Sequence, residues 1–417
     1  MTVDPLTLVR GVHFAATLLA AGSTGFIFVV AEPVTSKVWF ATLHRQLTLW
    51  VWLALAAAVV SGAVWLVLLA SDILGTSFSD VCLHGGAWPV LTDTRFGLVW
   101  CIRLALALLL ALLLPWPATR RLQVTIAAAF VVLPALVGHA GATPGLVGDL
   151  HLASDMLHLL AAGAWLGGLP AFAFLLWRAR RSAGRRRDAA VVRVVDRFSL
   201  LGVFSVGILL ASGLLNSWNL LNGPHDLIAS DYGRLVALKI VLFAAMIAIA
   251  AVNKFYLIPR LPKPAVLRAL LRNSLAEIGL GLCVLLFVGL LGTLPPALHV
   301  HAASAGIPPD AAFVHIHTSE VMAEVTIEPG RTGRTDVTIR VSREDSSSYP
   351  AKDVRLELDP PTAGLPTIRR TAIEQPDGRW LINDLTLAPS GIWATRVIVR
   401  PLAGDPIVLD APVVIER

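Results

Sequence analysis

Residues 96–116 form the run FGLVWCIRLALALLLALLLPW, in which Arg103 is the only charged side chain. A run of about 20 mainly apolar residues has the length that an α-helix needs to cross the hydrocarbon core of a bilayer. Seven other runs of this kind occur along the chain, so the sequence predicts eight membrane-spanning helices. Their expected bounds are 9–31, 47–70, 96–116, 121–139, 149–177, 198–221, 234–257 and 272–296.

The composition of the whole chain agrees with this interpretation. Of its 417 residues, 56% are hydrophobic and 15% are charged, and the mean hydropathy is +0.71. An average soluble protein has roughly 25% charged residues. High hydrophobicity excludes a disordered chain, and three scattered cysteines exclude a disulfide framework or a zinc module.

Lys and Arg are distributed unevenly among the connections between the predicted spans. Basic residues follow the first, third, fifth and seventh spans, and eight arginines lie between positions 178 and 197. The connections at 71–94, 140–148 and 222–233 contain none. Because cytoplasmic connections are enriched in Lys and Arg, we expect both termini to lie outside. The net charge of +6 is then a signal of topology and does not indicate binding of nucleic acid.

The sequence pattern changes after the eighth span. From about residue 310, short runs of alternating apolar and polar residues are separated by turn signals such as Pro376-Asp377-Gly378. Together they predict a small all-β sandwich. The expected strands are Ala323–Ile327, Thr335–Val341, Val354–Leu358, Trp380–Leu387, Trp393–Val399 and Ile407–Ile415. The predicted organisation is an all-α membrane domain (1–296), a linker (297–309) and an extracytoplasmic β-sandwich (310–417).

Histidines near the fourth and fifth spans form the main candidate site. His151, Asp155 and His158 are separated by four and three residues, so they share one face of a helix. His139 precedes them by a short connection, and His13 lies in the outer part of the first span. Ionisable groups in a membrane span usually face the bundle interior and serve an ion or a cofactor, and imidazole suits copper, zinc, iron or nickel. These five residues are predicted metal ligands, with hydrogen bonding between helices as the alternative.

The stretch from Gly138-His139-Ala140 through His151, Asp155 and His158 to Trp165-Leu166-Gly167-Gly168-Leu169 resembles the signature of the CopD family. The resemblance covers residues 1–296 and includes His13 and Phe198-Ser199. It implies a multi-pass protein of the bacterial inner membrane, surrounded by lipid, that imports or otherwise handles copper as Cu⁺ or Cu²⁺. It also implies a periplasmic copper carrier of the CopC type as a partner.

His315-Ile316-His317, Met322 and the stretch 327–333 resemble the opening of YtkA-like domains, which are small extracytoplasmic β-sandwiches found near copper-handling proteins. On a β-strand, positions 315 and 317 share one face. With Met322 they form a second predicted copper site. An exposed polar face without a ligand is the alternative.

Two classes of function remain open from the sequence. The first is copper transport, with His and Asp ligands at the outer face, and it favours a transporter or metal-handling protein over an enzyme. The second is a membrane protein that binds haem b or changes the redox state of copper. In that case His13 and His158, at similar depth on different helices, would be the bis-histidine pair.

Other polar residues in the spans are expected to have local roles. Arg103 is expected to reach outward to the interface or to pair with Asp155. Glu277 is expected near the cytoplasmic end of the eighth span, where it reaches the interface. Asn216 and Asn219 are expected to form hydrogen bonds between helices.

Overall fold

The chain divides into two compact units, Met1–Ala297 and Leu298–Arg417. The predicted ligand His139 and nearly all of the predicted linker 297–309 lie outside the residues that the structure, a computed structural model, describes. The described residues are 4–34, 37–74, 77–137, 145–181, 185–220, 226–229, 231–292, 308, 310–317, 321–343, 347–360 and 366–416.

The first unit consists of helices joined by turns over its described residues. Two π-helical segments, Phe26–Ala31 and Val252–Leu257, follow α1 and α11 directly. The α-helices are α1 (Pro5–Gly25), α2 (Lys37–Leu74), α3 (Phe78–His84), α4 (Ala87–Asp93), α5 (Arg95–Leu113), α6 (Arg120–Val132), α7 (Gly145–Trp165), α8 (Leu169–Arg180), α9 (Arg185–Leu220), α10 (Asp226–Ala229), α11 (Asp231–Ala251) and α12 (Pro264–Leu291).

Within the described residues, eight helical segments are long and apolar enough to cross a membrane. Each overlaps one predicted run, so the predicted eight-helix membrane bundle is confirmed. Their bounds are Pro5–Val34, Ala41–Asp72, Phe96–Leu113, Pro117–Val137, Gly148–Arg180, Ala189–Ser217, Tyr232–Arg260 and Pro264–Leu291.

The last helix starts well before its predicted bound of 272. Pro264 occupies the first helical position, where the missing N–H of proline is not needed for a hydrogen bond. Glu277 is therefore the fourteenth of the 28 residues of α12, and its side chain is only 2% exposed. The expectation that Glu277 reaches the interface near the cytoplasmic end was wrong.

The fifth span is interrupted. Residues 166–168 form a turn between α7 and α8. A Cβ atom at Gly167 would lie 2.0 Å from the Leu18 carbonyl oxygen, and one at Gly22 would lie 2.1 Å from the Gly167 carbonyl carbon. Small residues allow membrane helices to approach this closely. The backbone of α1 is thus in direct contact with the interruption of the fifth span.

Arginine side chains form hydrogen bonds and an ion pair at the end of the first span. Arg197 Nη2 donates a hydrogen bond to the Val29 carbonyl at 2.7 Å, and Arg193 Nη2 donates to the Val34 carbonyl at 3.1 Å. The last carbonyls of a helix lack hydrogen-bond donors within the helix. Arg193 and Arg197 of α9 donate hydrogen bonds to two of them. Arg120 adds an ion pair with Glu32 at 2.7 Å.

The second unit is an all-β structure of two antiparallel sheets, as predicted. The orders are β1-β2-β3-β7-β6 and β5-β4-β8-β9. Apolar residues of both sheets, including Val325, Ile339, Val354 and Val397, form one buried core. The strands are β1 (Ala312–His317), β2 (Met322–Glu328), β3 (Gly333–Ser342), β4 (Ala351–Asp359), β5 (Ile368–Thr371), β6 (Ile373–Glu374), β7 (Arg379–Leu387), β8 (Gly391–Pro401) and β9 (Ile407–Ile415).

The two sheets contain three described strands, β1, β5 and β6, in addition to the six that alternation predicts. β5 and β6 are short, and their side chains are mostly exposed, so they lack the alternating burial that identifies a strand. β1 pairs along its whole length with β2. Its alternation is obscured because Ala312, Phe313 and Val314 are consecutive apolar residues.

Candidate metal site

Hydrogen bonds between α7 and α9 orient the predicted carboxylate ligand. Ser154 Oγ donates to Asn216 Oδ1 at 3.0 Å, and Asn216 Nδ2 donates to Asp155 Oδ1 at 3.2 Å. The expectation that Asn216 forms a hydrogen bond between helices is confirmed, whereas the side chain of Asn219 lies outside the described residues. We call His151, Ser154, Asp155 and His158 the α7 face.

A hydrogen bond to Ser212 orients the ring of His158. Ser212 Oγ donates its single hydrogen to the Ile208 carbonyl at 2.6 Å and lies 2.9 Å from His158 Nδ1. With its hydrogen on the Ile208 carbonyl, the hydroxyl accepts from His158 Nδ1–H, and this assignment leaves the lone pair of the neutral ring on Nε2. An imidazole that is held through one nitrogen and carries a lone pair on the other is the usual form of a metal-binding histidine.

Lys239 of α11 adds a basic side chain near the α7 face. It interacts electrostatically with both Asp155 and His158. His151, which is 6% exposed, also interacts electrostatically with Asp155. An opposite charge reduces the cost of keeping the carboxylate ionised inside the bundle. Sequence reasoning missed Lys239, since a lone lysine in an apolar span gives no spacing signal that links it to a carboxylate on another helix.

The donors on the α7 face suit a transition metal. Two imidazoles and one carboxylate provide nitrogen and oxygen ligands of the kind that bind Cu²⁺. Across the described residues, no group of three or more His, Cys, Asp and Glu side chains is close enough to hold a metal ion as it stands. His139, the remaining predicted ligand beside this face, lies outside the described residues.

His13 belongs to a different cluster, centred on Arg103. Arg103 Nη2 donates to His13 Nε2 at 2.8 Å and to Thr17 Oγ1 at 3.0 Å, while Nη1 donates to the Phe130 carbonyl at 2.6 Å. His13 Nδ1 donates to the Ala58 carbonyl at 3.0 Å. Both ring nitrogens of His13 are thus engaged. The expectation that Arg103 reaches the interface or pairs with Asp155 was wrong, because its guanidinium donates hydrogen bonds to residues of α1 and α6 instead.

Aromatic rings enclose the Arg103–His13 pair. The guanidinium carbon lies 4.4 Å from the Phe130 ring centroid and 5.1 Å from that of Trp100. The His13 ring lies 4.8 Å from Trp100 and 5.6 Å from Trp65 between centroids. His158 instead contacts α9, so the two histidines lie in separate clusters. The structure does not assemble them into the facing pair that a bis-histidine haem requires.

The register of the second unit brings the other predicted ligands to neighbouring positions. His315 lies opposite Glu324, and His317 lies opposite Met322, on the paired strands β1 and β2. His315 Nδ1 lies 3.6 Å from Glu324 Oε1. Ile316, Ala323 and Val325 of the same strands are buried in the core, so positions 315, 322 and 324 are on the outer face of the sheet. The side chain of His317 lies outside the described residues.

Two family models match the helical unit. The one described as "Copper resistance protein D-like, N-terminal domain" matches residues 1–149, and the one described as "Copper resistance protein D" matches residues 192–291. Neither extends into the second unit, so its resemblance to YtkA-like domains stays a prediction. No solved structure matches the chain.

Curated relatives match over the same region. The chain is 31% identical over 295 residues to "Inner membrane protein YebZ" of Escherichia coli (strain K12), an alignment that covers 69% of this chain and 97% of that protein. It is 28% identical to "Copper resistance protein D" of Pseudomonas syringae pv. tomato, over 50% of this chain and 71% of that protein. It is 25% identical to "Copper transport protein CutJ" of Bacillus subtilis (strain 168), over 77% of this chain and 60% of that protein.

The predicted multi-pass localisation in the bacterial inner membrane is confirmed by the eight apolar helices together with these relatives. Copper handling at the membrane is likewise supported by the family matches. The similarity to YebZ extends over nearly the whole of that protein. The chain therefore belongs to the copper resistance protein D family.

Proposed function

We propose that this chain imports copper, and that the α7 face takes up the ion from the outer side of the membrane. The uneven distribution of Lys and Arg supports this orientation, because it assigns the start of α7 to the outer side. The similarity to "Copper transport protein CutJ" of Bacillus subtilis supports a role of this chain in copper transport.

The observation that carries the proposal is the state of His158. Its Nδ1–H is held by Ser212, and in the described part of the structure no donor occupies Nε2. His13 differs, since Arg103 already donates to its Nε2. His158 is therefore the ligand we assign first, with Asp155 and His151 completing the set from the same face and His139 adjoining it in sequence.

Lys239 acts in this proposal as the counter-ion of Asp155 when copper is not bound. A Cu²⁺ ion beside Asp155 brings two positive charges near the ammonium group, and the resulting repulsion favours movement of Lys239 away from the carboxylate. Copper entry and the position of Lys239 are thereby linked. Release of copper on the cytoplasmic side is favoured by the return of the lysine.

The outer face of β1 and β2 is proposed to receive copper before it reaches the membrane. Positions 315 and 317, with Met322 opposite 317, combine imidazole and thioether ligands, which bind copper in either oxidation state. Glu324 holds the His315 ring. A periplasmic carrier of the CopC type is the partner that the family resemblance implies for this step.

The test compares copper retained by the purified full chain and its uptake into liposomes. His158→Ala is expected to lose copper from the α7 face and to abolish uptake, while the protein is recovered at normal abundance. His84→Ala, at an exposed position of α3, is the matched control and should retain both. Normal copper content and uptake in His158→Ala would overturn the assignment.

An absorption spectrum of the same sample separates the copper and haem alternatives. Copper without a Soret band supports the proposal, whereas a Soret band that disappears in His158→Ala would replace it with haem ligation. For the second unit, a His315→Ala/His317→Ala variant of the full chain should bind less copper and retain the α7 site. Unchanged copper content in that variant would leave β1 and β2 as an ordinary polar surface.

A further inference from the structure

Buried polar side chains without partners also occur on α1 and α12, away from the α7 face. Glu277 is 2% exposed, and Ser274 on α12 and Ser23 on α1 are both 0% exposed. Among the described residues, Glu277 Oε1, Ser274 Oγ and Ser23 Oγ have no hydrogen-bond partner. Leaving a buried polar atom without a hydrogen bond is unfavourable, and more so for a charged group.

Contacts between the helices place these three residues at a similar level. A Cβ at Gly11 would lie 3.6 Å from Leu286 Cα, and one at Gly289 would lie 2.6 Å from the Thr7 carbonyl oxygen. The helices α1 and α12 are therefore antiparallel and in close contact. Counting inward from these contacts at 1.5 Å per residue brings Ser23 to the level of Ser274, one turn from Glu277.

The interruption of the fifth span lies at this same level. A Cβ at Gly281, one turn from Glu277, would lie 2.2 Å from Leu166 Cδ1, and Gly22, next to Ser23, contacts Gly167 and Gly168. The helix α8 begins here, so its first N–H groups and the positive end of its dipole lie within the bundle. Interrupted helices of this kind form ion sites in membrane transporters.

The chemistry of the group favours a proton over a metal ion. Glu277 and Ser274 contribute one carboxyl and one hydroxyl group and no nitrogen or sulfur ligand. The ionisable residues on α1, α8, α11 and the π-helical segment 252–257, which pack against α12, are Arg10, His13, Arg178, Arg180, Asp231, Tyr232, Arg234, Lys239, Lys254 and Tyr256. No described charge interacts electrostatically with Glu277. An isolated ionised carboxylate in such surroundings is strongly disfavoured.

We propose that Glu277, with the hydroxyl group of Ser274 one turn away on α12, forms a proton-carrying site in the middle of the bundle. The site is separate from the α7 face and adds a group that can bind and release a proton within the membrane. We infer that inward proton movement through Glu277 drives copper import. This coupling rests on the proposed function. Proton binding at Glu277 itself does not depend on copper.

Infrared difference spectroscopy of the purified full chain tests proton binding directly. At neutral pH the wild type should show the C=O band of a protonated carboxyl group, with a shift in D₂O. Glu277→Gln should remove this band, Ser274→Ala should shift it, and Asp155→Asn should leave it in place. A band that persists in Glu277→Gln would overturn the proposal. A band that disappears when Na⁺ is added at constant pH would also overturn it and would indicate a sodium site.

Copper uptake into liposomes tests the coupling. An inward proton gradient should accelerate uptake by the wild type, and an inward Na⁺ gradient should not. Glu277→Gln should lose this acceleration and still retain copper on the α7 face. Acceleration that survives in Glu277→Gln would refute the coupling. If the wild type takes up no copper, the proposed import fails, while the infrared bands still decide whether Glu277 holds a proton.

Discussion

Replacing His13 with alanine is expected to destabilise the helical unit and to leave copper on the α7 face. The change removes the acceptor of a hydrogen bond from the charged Arg103, which is worth about 1.5–3 kcal/mol in soluble proteins. It also removes ring contacts with Trp65 and Trp100, of about 0.5–1.5 kcal/mol each for a well-placed aromatic pair. Hydrogen bonds between membrane helices average only about 0.6 kcal/mol, so we expect a total of about 2 kcal/mol.

The assay is a detergent unfolding titration of the full chain followed by tryptophan fluorescence, since Trp65 and Trp100 contact the substituted ring. His84→Ala is the control and should change the unfolding free energy by less than about 0.5 kcal/mol, as exposed substitutions usually do. Copper content should be the same in both variants. An unchanged unfolding free energy together with lost copper would refute the reasoning and make His13 a ligand.

Three further predictions concern packing and charge. Gly22→Ala should reduce the yield of folded protein, because its Cβ would overlap the Gly167 backbone, whereas Gly207→Ala has open space and should be neutral or stabilising by up to about 1 kcal/mol; thermal unfolding compares them. Trp393→Ala should cost the β unit about 3–5 kcal/mol, because the ring is 1% exposed; loss of its cooperative transition in a thermal melt is the measurement. Arg379 lowers the pKa of Asp377 through a side-chain hydrogen bond, so this contact stabilises the fold above the unfolded-state pKa and is lost as pH falls through the folded one. Arg379→Ala should return that pKa towards its ordinary value in an NMR titration of labelled aspartate, and no change would contradict the pairing.

Much of the architecture could be predicted because it depends on short-range patterns. Apolar runs such as 96–116 identify membrane helices by length alone, and alternation identified six strands of the second unit. Hydropathy predicts too late a start for α12, because Pro264 begins a helix whose first turns, with Arg268 and Arg272, are not apolar. This late start shifts the expected position of Glu277 to the interface.

The candidate site was predictable only along a single helix. The spacing of His151, Asp155 and His158 groups them on α7, but nothing in the spacing links them to Ser212 or Lys239 on other helices. His13 illustrates the reverse case. Its depth and residue type match those of a ligand, and its engagement by Arg103, 90 positions away, depends on tertiary packing.

The most direct test of the central claim is the number of imidazole nitrogens coupled to Cu²⁺ in pulsed EPR of the copper-loaded full chain. The wild type should show histidine nitrogens, and His158→Ala should show one fewer. His13→Ala should give the wild-type spectrum, because Arg103 occupies the Nε2 atom of His13. A wild-type spectrum from His158→Ala, or loss of a nitrogen from His13→Ala, would contradict the assignment of the α7 face as the copper site.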